Sequence, residues 1–250
     1  MSEESQYVYC IVESDEARNF GPVGIGGRGD PVTIVSFDGL GAVISPAPLR
    51  KYPVTRENTL CHEKVIEGVM SQDYTVLPVR FGTVANSAQE IRDVLRKRSR
   101  EFKDLLRDMD NRVELGVKAV WLNMEAVFKE VAEENVEIKS LKARAEKGAT
   151  RGTLIRIGEM VKDALEKKKD KESAHILSPL RRIAADCKVN KCYGDSMFLN
   201  SVFLVDRHRE RDFDEAIERL RAGYDGRARI SYVGPAPPFN FVNIVIHWGN

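Results

Sequence analysis

A thiol, an imidazole and a carboxylate stand in succession at Cys61-His62-Glu63. A cysteine beside a base is half of a nucleophilic centre. The surrounding spacing is helical, however, and neighbouring residues of a helix diverge by about 100°. Cys61 and His62 therefore cannot serve each other as nucleophile and base. The residues predict a small core side chain at Cys61 and a polar contact from His62 to a neighbouring strand.

Two further patterns carry potential chemistry. Gly24-Ile25-Gly26-Gly27-Arg28-Gly29 has the spacing of a dinucleotide fingerprint. That fingerprint works only where the glycines leave a strand and open a helix whose N–H groups hold a pyrophosphate. Here the glycines lie well beyond the first strand, and Pro31 leads into another strand, so a flexible strand-to-strand loop is the expectation. Cys187 and Cys192 are separated by four residues, but zinc needs two more ligands, and His175 and His208 lack a paired spacing. Two free thiols in a turn are expected. The basic run Lys167-Lys168-Lys169 sits in a stretch, Lys139–Lys171, with eleven basic and five acidic residues. Without interleaved aromatics it reads as a solvated helix face. No catalytic constellation, cofactor site or metal site emerges.

The elements around these residues alternate in type. Tyr7–Val12 is β-branched and aromatic, a strand. Val32–Phe37 and Leu40–Ser45 flank Asp38-Gly39, a hairpin signal because both turn residues need positive φ. Arg56 to Ser71 is helical, with Leu60, Ile66, Val69 and Met70 on one face. Tyr74–Phe81 is strand-like, and Pro78, lacking an N–H, predicts an edge or a bulge. Ser87 to Met109 has the clearest 3.6-residue period, capped by Ser87 with Glu90 three residues on. Val113–Trp121 is a strand, and Met124 to about Lys171 is mostly helical. Ser178-Pro179 predicts a new helix over Leu180–Cys187. Strand, helix and strand follow over Phe198–Val205, Asp212–Ala222 and Ala228–Val233, and Phe239–Trp248 is again strand-like.

This order predicts an α+β protein of two domains, 1–110 and 111–250, the second with a helical segment over about 124–187. The 250 residues carry 39 Lys+Arg against 38 Asp+Glu, a balance that disfavours nucleic acid as a partner. The polar, acidic start is unlike a signal peptide, and no apolar run is long enough to span a membrane. A cytoplasmic protein with reduced thiols is expected; oligomeric state is not legible.

Three segments make the chain recognisable. Val76-Leu77-Pro78-Val79-Arg80-Phe81-Gly82-Thr83-Val84 follows the helix with His62-Glu63, and Val113–Lys118 opens the second half. Phe203-Leu204-Val205-Asp206-Arg207 precedes Gly234-Pro235-Ala236-Pro237-Pro238-Phe239-Asn240-Phe241. In this order they resemble the gas vesicle protein F/L family (GvpF/GvpL), along nearly the whole chain. Ala236 and Phe239 depart from the family's usual Trp and Tyr. The resemblance implies an accessory or minor structural protein of the gas vesicle that takes part in assembly, without enzymatic activity. Its expected partners are the hydrophobic shell protein and other vesicle accessory proteins. It also implies a ferredoxin-like second half. Pro78, Arg80 and Phe81 are the expected partner-binding residues, on an exposed sheet edge near the Val32–Ser45 hairpin. The alternative is a regulatory or small-molecule-binding protein.

Overall fold

The computed structural model describes residues 4–145, 148 and 150–248. Met1–Glu3, and Glu146, Lys147 and Ala149 of the expected helical stretch, lie outside them. The fold is mixed α+β, with two sheets and seven α-helices among the described residues. The chain divides into two compact units, one formed by Met1–Glu114 with Pro235–Asn250, the other by Leu115–Gly234. The last sixteen residues thus belong with the first unit, whereas the sequence order assigns them to the second half.

In the first unit, β1 (Gln6–Glu13), β2 (Thr33–Phe37) and β3 (Leu40–Pro46) form an antiparallel core. The hairpin turn is as expected, with φ of 49° at Asp38 and 79° at Gly39. The register of β1 on β3 slips between Val8 and Cys10. This bulge breaks the strict alternation of sides. Tyr7, Tyr9, Cys10 and Val12 enter one core, and Val8 and Ile11 the other. The first core is closed by Val65, Ile66 and Val69 of α1 (Arg56–Met70), which Thr55 caps.

The Tyr74–Phe81 expectation is met only in part. β4 (Leu77–Pro78) and β5 (Val84–Ala85) both pair with β1, as two short pieces along one sheet edge. Pro78 has no N–H for the ladder; the Val79 N–H still donates to the Tyr9 carbonyl at 2.9 Å, residues 80–82 leave the strand, and the Val8 N–H donates to the Thr83 carbonyl at 2.9 Å. The edge position is correct, but the edge is not open there. Val79 bridges Ile244, and the Arg80 N–H donates to the Ile244 carbonyl at 3.0 Å.

The expected long helix is two, α2 (Ala88–Lys97) and α3 (Ser99–Met109), with the Ser87 cap in place. The break falls at Arg98, which has φ −108° and ψ 18°. Its guanidinium is drawn to the Val245 carbonyl, the Glu101 carboxylate and the Phe102 ring. Ile91, Leu95, Phe102 and Leu106 cover the second face of the sheet.

The second unit holds most of β6 (Arg112–Trp121), then α4 (Met124–Glu134), α5 (Val136–Ala145), α6 (Arg151–Arg181), β7 (Asp186–Val189), β8 (Met197–Asp206), α7 (Glu210–Gly223) and most of β9 (Ala228–Ala236). Its strand order is β7-β8-β6-β9. The expected helix over Leu180–Cys187 is absent. Pro179 lies within the last turn of α6, because burial of Leu165, Ile176, Leu177 and Leu180 along one face carries the helix past it. Residues 186–189 instead pair antiparallel with β8. Nor do residues 239–248 form a strand. Pro237 and Pro238 supply no N–H; the segment bridges the sheet at Ile244 and otherwise packs on its cores through Phe239, Val242, Ile246 and Trp248.

Candidate functional site

Two tyrosines of β1 organise the surface around α1. Tyr7 is fully buried, and its hydroxyl accepts the Gly82 N–H at 2.9 Å. The hydroxyl proton is then free to be donated to His62 Nδ1, 3.1 Å away. The other ring N–H of His62 bonds the Val79 carbonyl. These bonds fix His62 as the neutral tautomer protonated away from Tyr7. Burial lowers its pKa to about 4, with the Val79 bond acting the other way. Burial likewise pushes the Tyr7 hydroxyl well above its ordinary range. His62 thus makes the expected polar contact to a neighbouring strand, and its bonds are spent on structure.

Tyr9 does the same for the glycine loop. Its hydroxyl accepts the Ile25 N–H at 2.7 Å and pairs with Ser45 Oγ at 2.9 Å. Burial raises its pKa to about 12. Ile25 is buried, and the Gly24 N–H donates to the Asp30 carbonyl. The loop expected to be flexible is therefore pinned. No helix follows its glycines, so the anion seat of a dinucleotide site is not formed.

Two surfaces flank α1. On one side a cleft of about 510 Å³ opens between α1 and the glycine loop, walled by Phe20, Val23, Leu60, Cys61 and Val65. Leu60 is 40% exposed and Val23 48%. Leu60 was expected on the buried face, but the face that α1 turns inward is His62, Val65, Ile66 and Val69. Docking His62 between Tyr7 and Val79 rotates Leu60 outward. The Cys61 thiol lies 3.6 Å from the Val23 carbonyl, and burial, first among its influences, raises its pKa. A raised pKa disfavours the reactive thiolate. Glu57 and Lys64 stand at the rim of the cleft.

On the other side lie the expected partner-binding residues. Pro78 is buried and supports the floor, Phe81 is half-buried, and Arg80 is exposed. Arg80 and Phe81 line a groove of about 840 Å³, together with Arg50, Lys51, Val54 and the C-terminal Trp248. The 49–54 segment and Trp248 had no local pattern to mark them as site residues. Only the tertiary fold brings residues 49–54, 80–84 and 245–248 together.

The remaining chemical candidates disperse. Cys187 lies on β7 and Cys192 in the loop beyond it, both free thiols with pKa values raised by burial. No cluster of three or more His, Cys, Asp or Glu able to hold a metal occurs among the described residues. Of the three successive lysines, Lys168 pairs with Glu130 and Glu134, and Lys169 with Glu166. The Lys168 pairs belong to a network around Arg227, which binds Glu130 through both oxygens and Glu172 at 2.5 Å. The Trp121 indole N–H donates to the same Glu172. Hydrogen bonding from Arg227 lowers the Glu130 pKa to about 2. No helix among the described residues is long and apolar enough to cross a membrane.

The terminal motif is held within the first unit. The Glu114 carboxylate, buried, accepts the Asn240 N–H at 2.7 Å and the Asn240 side-chain amide at 2.5 Å. Phe239 packs against the core containing Tyr7 and Tyr9. The motif therefore terminates a fold rather than projecting from it.

Comparison with known proteins agrees with this architecture. Gas vesicle protein F of a Streptomyces species is 31% identical over 243 residues, covering 95% of this chain and 99% of that protein. Gas vesicle protein F1 of Halobacterium salinarum is 28% identical over 245 residues, covering 97% of this chain and 95% of the relative. The crystal structure of the gas vesicle protein GvpF from an Anabaena species has the same fold, with a TM-score of 0.85 at 24% identity over 98% of this chain and all of that one. GvpF from Microcystis aeruginosa gives 0.77 at 24% identity over 95% of this chain and 98% of its own. The family described as gas vesicle synthesis protein GvpL/GvpF matches residues 5–243, and this chain belongs to it.

Proposed function

We propose that the protein takes part in gas vesicle assembly by binding the hydrophobic shell protein through its first unit and limiting its aggregation. A gas-filled shell needs an apolar inner face, so its free subunit exposes a patch prone to self-association. A stoichiometric partner can cover such a patch without catalysis, cofactor or metal. The observation that carries the reading is the apolar cleft beside α1, where Val23 and Leu60 stand open on a surface that is otherwise charge-rich. Arg80 and Phe81 are assigned the adjoining contacts, over the buried Pro78. In this reading the protein acts in the cytoplasm alongside the growing vesicle. The second unit is read as ferredoxin-like, supported by its strand order and its alternation of helices and strands.

The test uses the full-length chain in a strain from which its gene has been removed. Leu60→Asp places a charge in the cleft at an exposed position, so the core is untouched. The wild-type gene should restore buoyant, refractile vesicles, and its purified product should retain shell protein; Leu60→Asp should lose both. Full retention of shell protein by Leu60→Asp, or normal vesicles without the gene or a paralogue, overturns the proposal.

A further inference from the structure

The groove lined by Arg80 and Phe81 has a chemistry that the apolar cleft lacks. Arg50, Lys51 and Arg80 converge on it, and no carboxylate lines it among the described residues. None of the three cations forms an ion pair among the described residues; Arg50 rests 5.2 Å over the Tyr52 ring. By contrast, two members of the Lys167-Lys168-Lys169 run, Lys168 and Lys169, are held by internal carboxylates. Glu90 and Asp93 line a separate depression that shares Trp248 and are engaged by Asn86 and Arg96, and Glu63 lines a further depression beside Arg80 and Phe81. The same groove carries exposed Leu49 and Val54, the latter 81% exposed, with half-buried Phe81 and Trp248.

We propose that this groove binds an acidic peptide segment, carrying aliphatic side chains between its carboxylates, from a protein partner. Charge complementarity selects the sign, because an incoming carboxylate meets three cations with no competing ion-pair partner among the described residues. The apolar walls select a peptide over nucleic acid. A phosphate backbone would satisfy the cations but leave Leu49 and Val54 against water, whereas a mixed acidic and aliphatic segment covers both. The inference deepens the shell-partner reading and rests on its assignment of Arg80 and Phe81 to a partner surface. It names the character of the segment they meet.

The probe is a ten-residue synthetic peptide alternating Glu and Leu, added to the full-length protein. Trp248 fluorescence and calorimetry report binding; the other indole, Trp121, is buried and bonded to Glu172. The wild type should bind, with affinity falling as salt is raised. Arg80→Glu, and Arg50→Glu with Lys51→Glu, should each weaken binding about five- to tenfold, since a charge reversal replaces attraction with repulsion. All three positions are exposed, so folding is retained and is checked by circular dichroism. Equal binding of the Gln-for-Glu peptide, unchanged affinity in both variants, or tighter binding of a short single-stranded oligonucleotide overturns the inference. Leu60→Asp separates the two readings. Lost shell-protein retention with intact peptide binding supports both. Intact retention with no peptide binding removes only the acidic-segment inference. Peptide binding with shell retention insensitive to Leu60→Asp removes only the cleft assignment.

Discussion

Acidification should weaken the first unit through one side chain, His62. Its imidazole is neutral in the fold, with a pKa lowered from 6.5 to about 4 by burial. In the unfolded chain it titrates at its ordinary value. Between those values the unfolded state binds the extra proton, so stability rises with pH across the window. The contribution is complete above about pH 6.5 and is lost as pH falls through 6.5 toward 4. A difference of 6.5 against about 4 corresponds to about 3 kcal/mol in total, of which about 2 kcal/mol disappears between pH 7 and 4.5. Carboxylates held low, such as Glu130 at about 2, act in a different window. Their contribution is present above their unfolded value near 4.5 and is lost only below it. Glu63, whose carboxyl is raised by burial, titrates within the same range with the opposite sign, so the imidazole is isolated by comparing wild type with His62→Gln. Urea unfolding of the full chain, read by hydrogen exchange at the β1 amides, should show the midpoint falling by about 1 M over that range. His62→Gln keeps an acceptor toward Tyr7 and a donor toward Val79 but does not titrate, so its midpoint should lose this portion of the pH dependence. Identical pH slopes in wild type and His62→Gln would refute the reasoning.

Tyr9→Phe removes the acceptor of the Ile25 N–H while leaving the ring in the core. An unsatisfied buried donor costs about 1–3 kcal/mol, so limited proteolysis between Gly21 and Gly29 should accelerate at least several-fold. Unchanged cleavage would show that the loop is held by other means. Gly41→Ala would place its Cβ 2.6 Å from Ile34 Cγ2 and 3.3 Å from Val12 Cγ2, both from neighbouring strands. The overpacking should destabilise by about 1–3 kcal/mol in urea titrations, and a neutral result would mean that the sheet yields freely there.

What the sequence made legible was local. The Asp38-Gly39 turn, the Ser87 cap and the strands β6 and β8 each depend on a few adjacent residues whose conformational preferences agree with the fold. The failures occur where distant partners decide. Pro179 resembles a helix start, yet a buried face on α6 carries the helix beyond it. Phe239–Trp248 has strand composition, but its surroundings are supplied by Glu114, Val79 and Arg98, far away in the chain. The candidate site divides the same way. Arg80 and Phe81 stand out in the sequence beside Pro78, whose missing N–H marks a sheet edge, whereas Arg50, Lys51 and Trp248 join them only in three dimensions. Leu60 was misplaced by about one helical step because periodicity does not reveal that a histidine, rather than a leucine, anchors the helix.

That anchoring connects the two surfaces physically. Tyr7 and Tyr9 lie two residues apart on β1 and enter one core. Tyr9 fixes Ile25 in the loop that walls the apolar cleft; Tyr7 fixes Gly82 in the turn that floors the basic groove. His62 stacks on the Tyr9 ring at 5.7 Å while bonding the Tyr7 hydroxyl, and Leu60 is presented from the same helix. One strand and one helix therefore set the spacing between the apolar cleft and the basic groove. A surface held in this way needs little ordering when a partner arrives, so more of the contact energy is retained as affinity. Under the proposed function, that preorganisation would let an apolar subunit be captured before it meets another copy of itself.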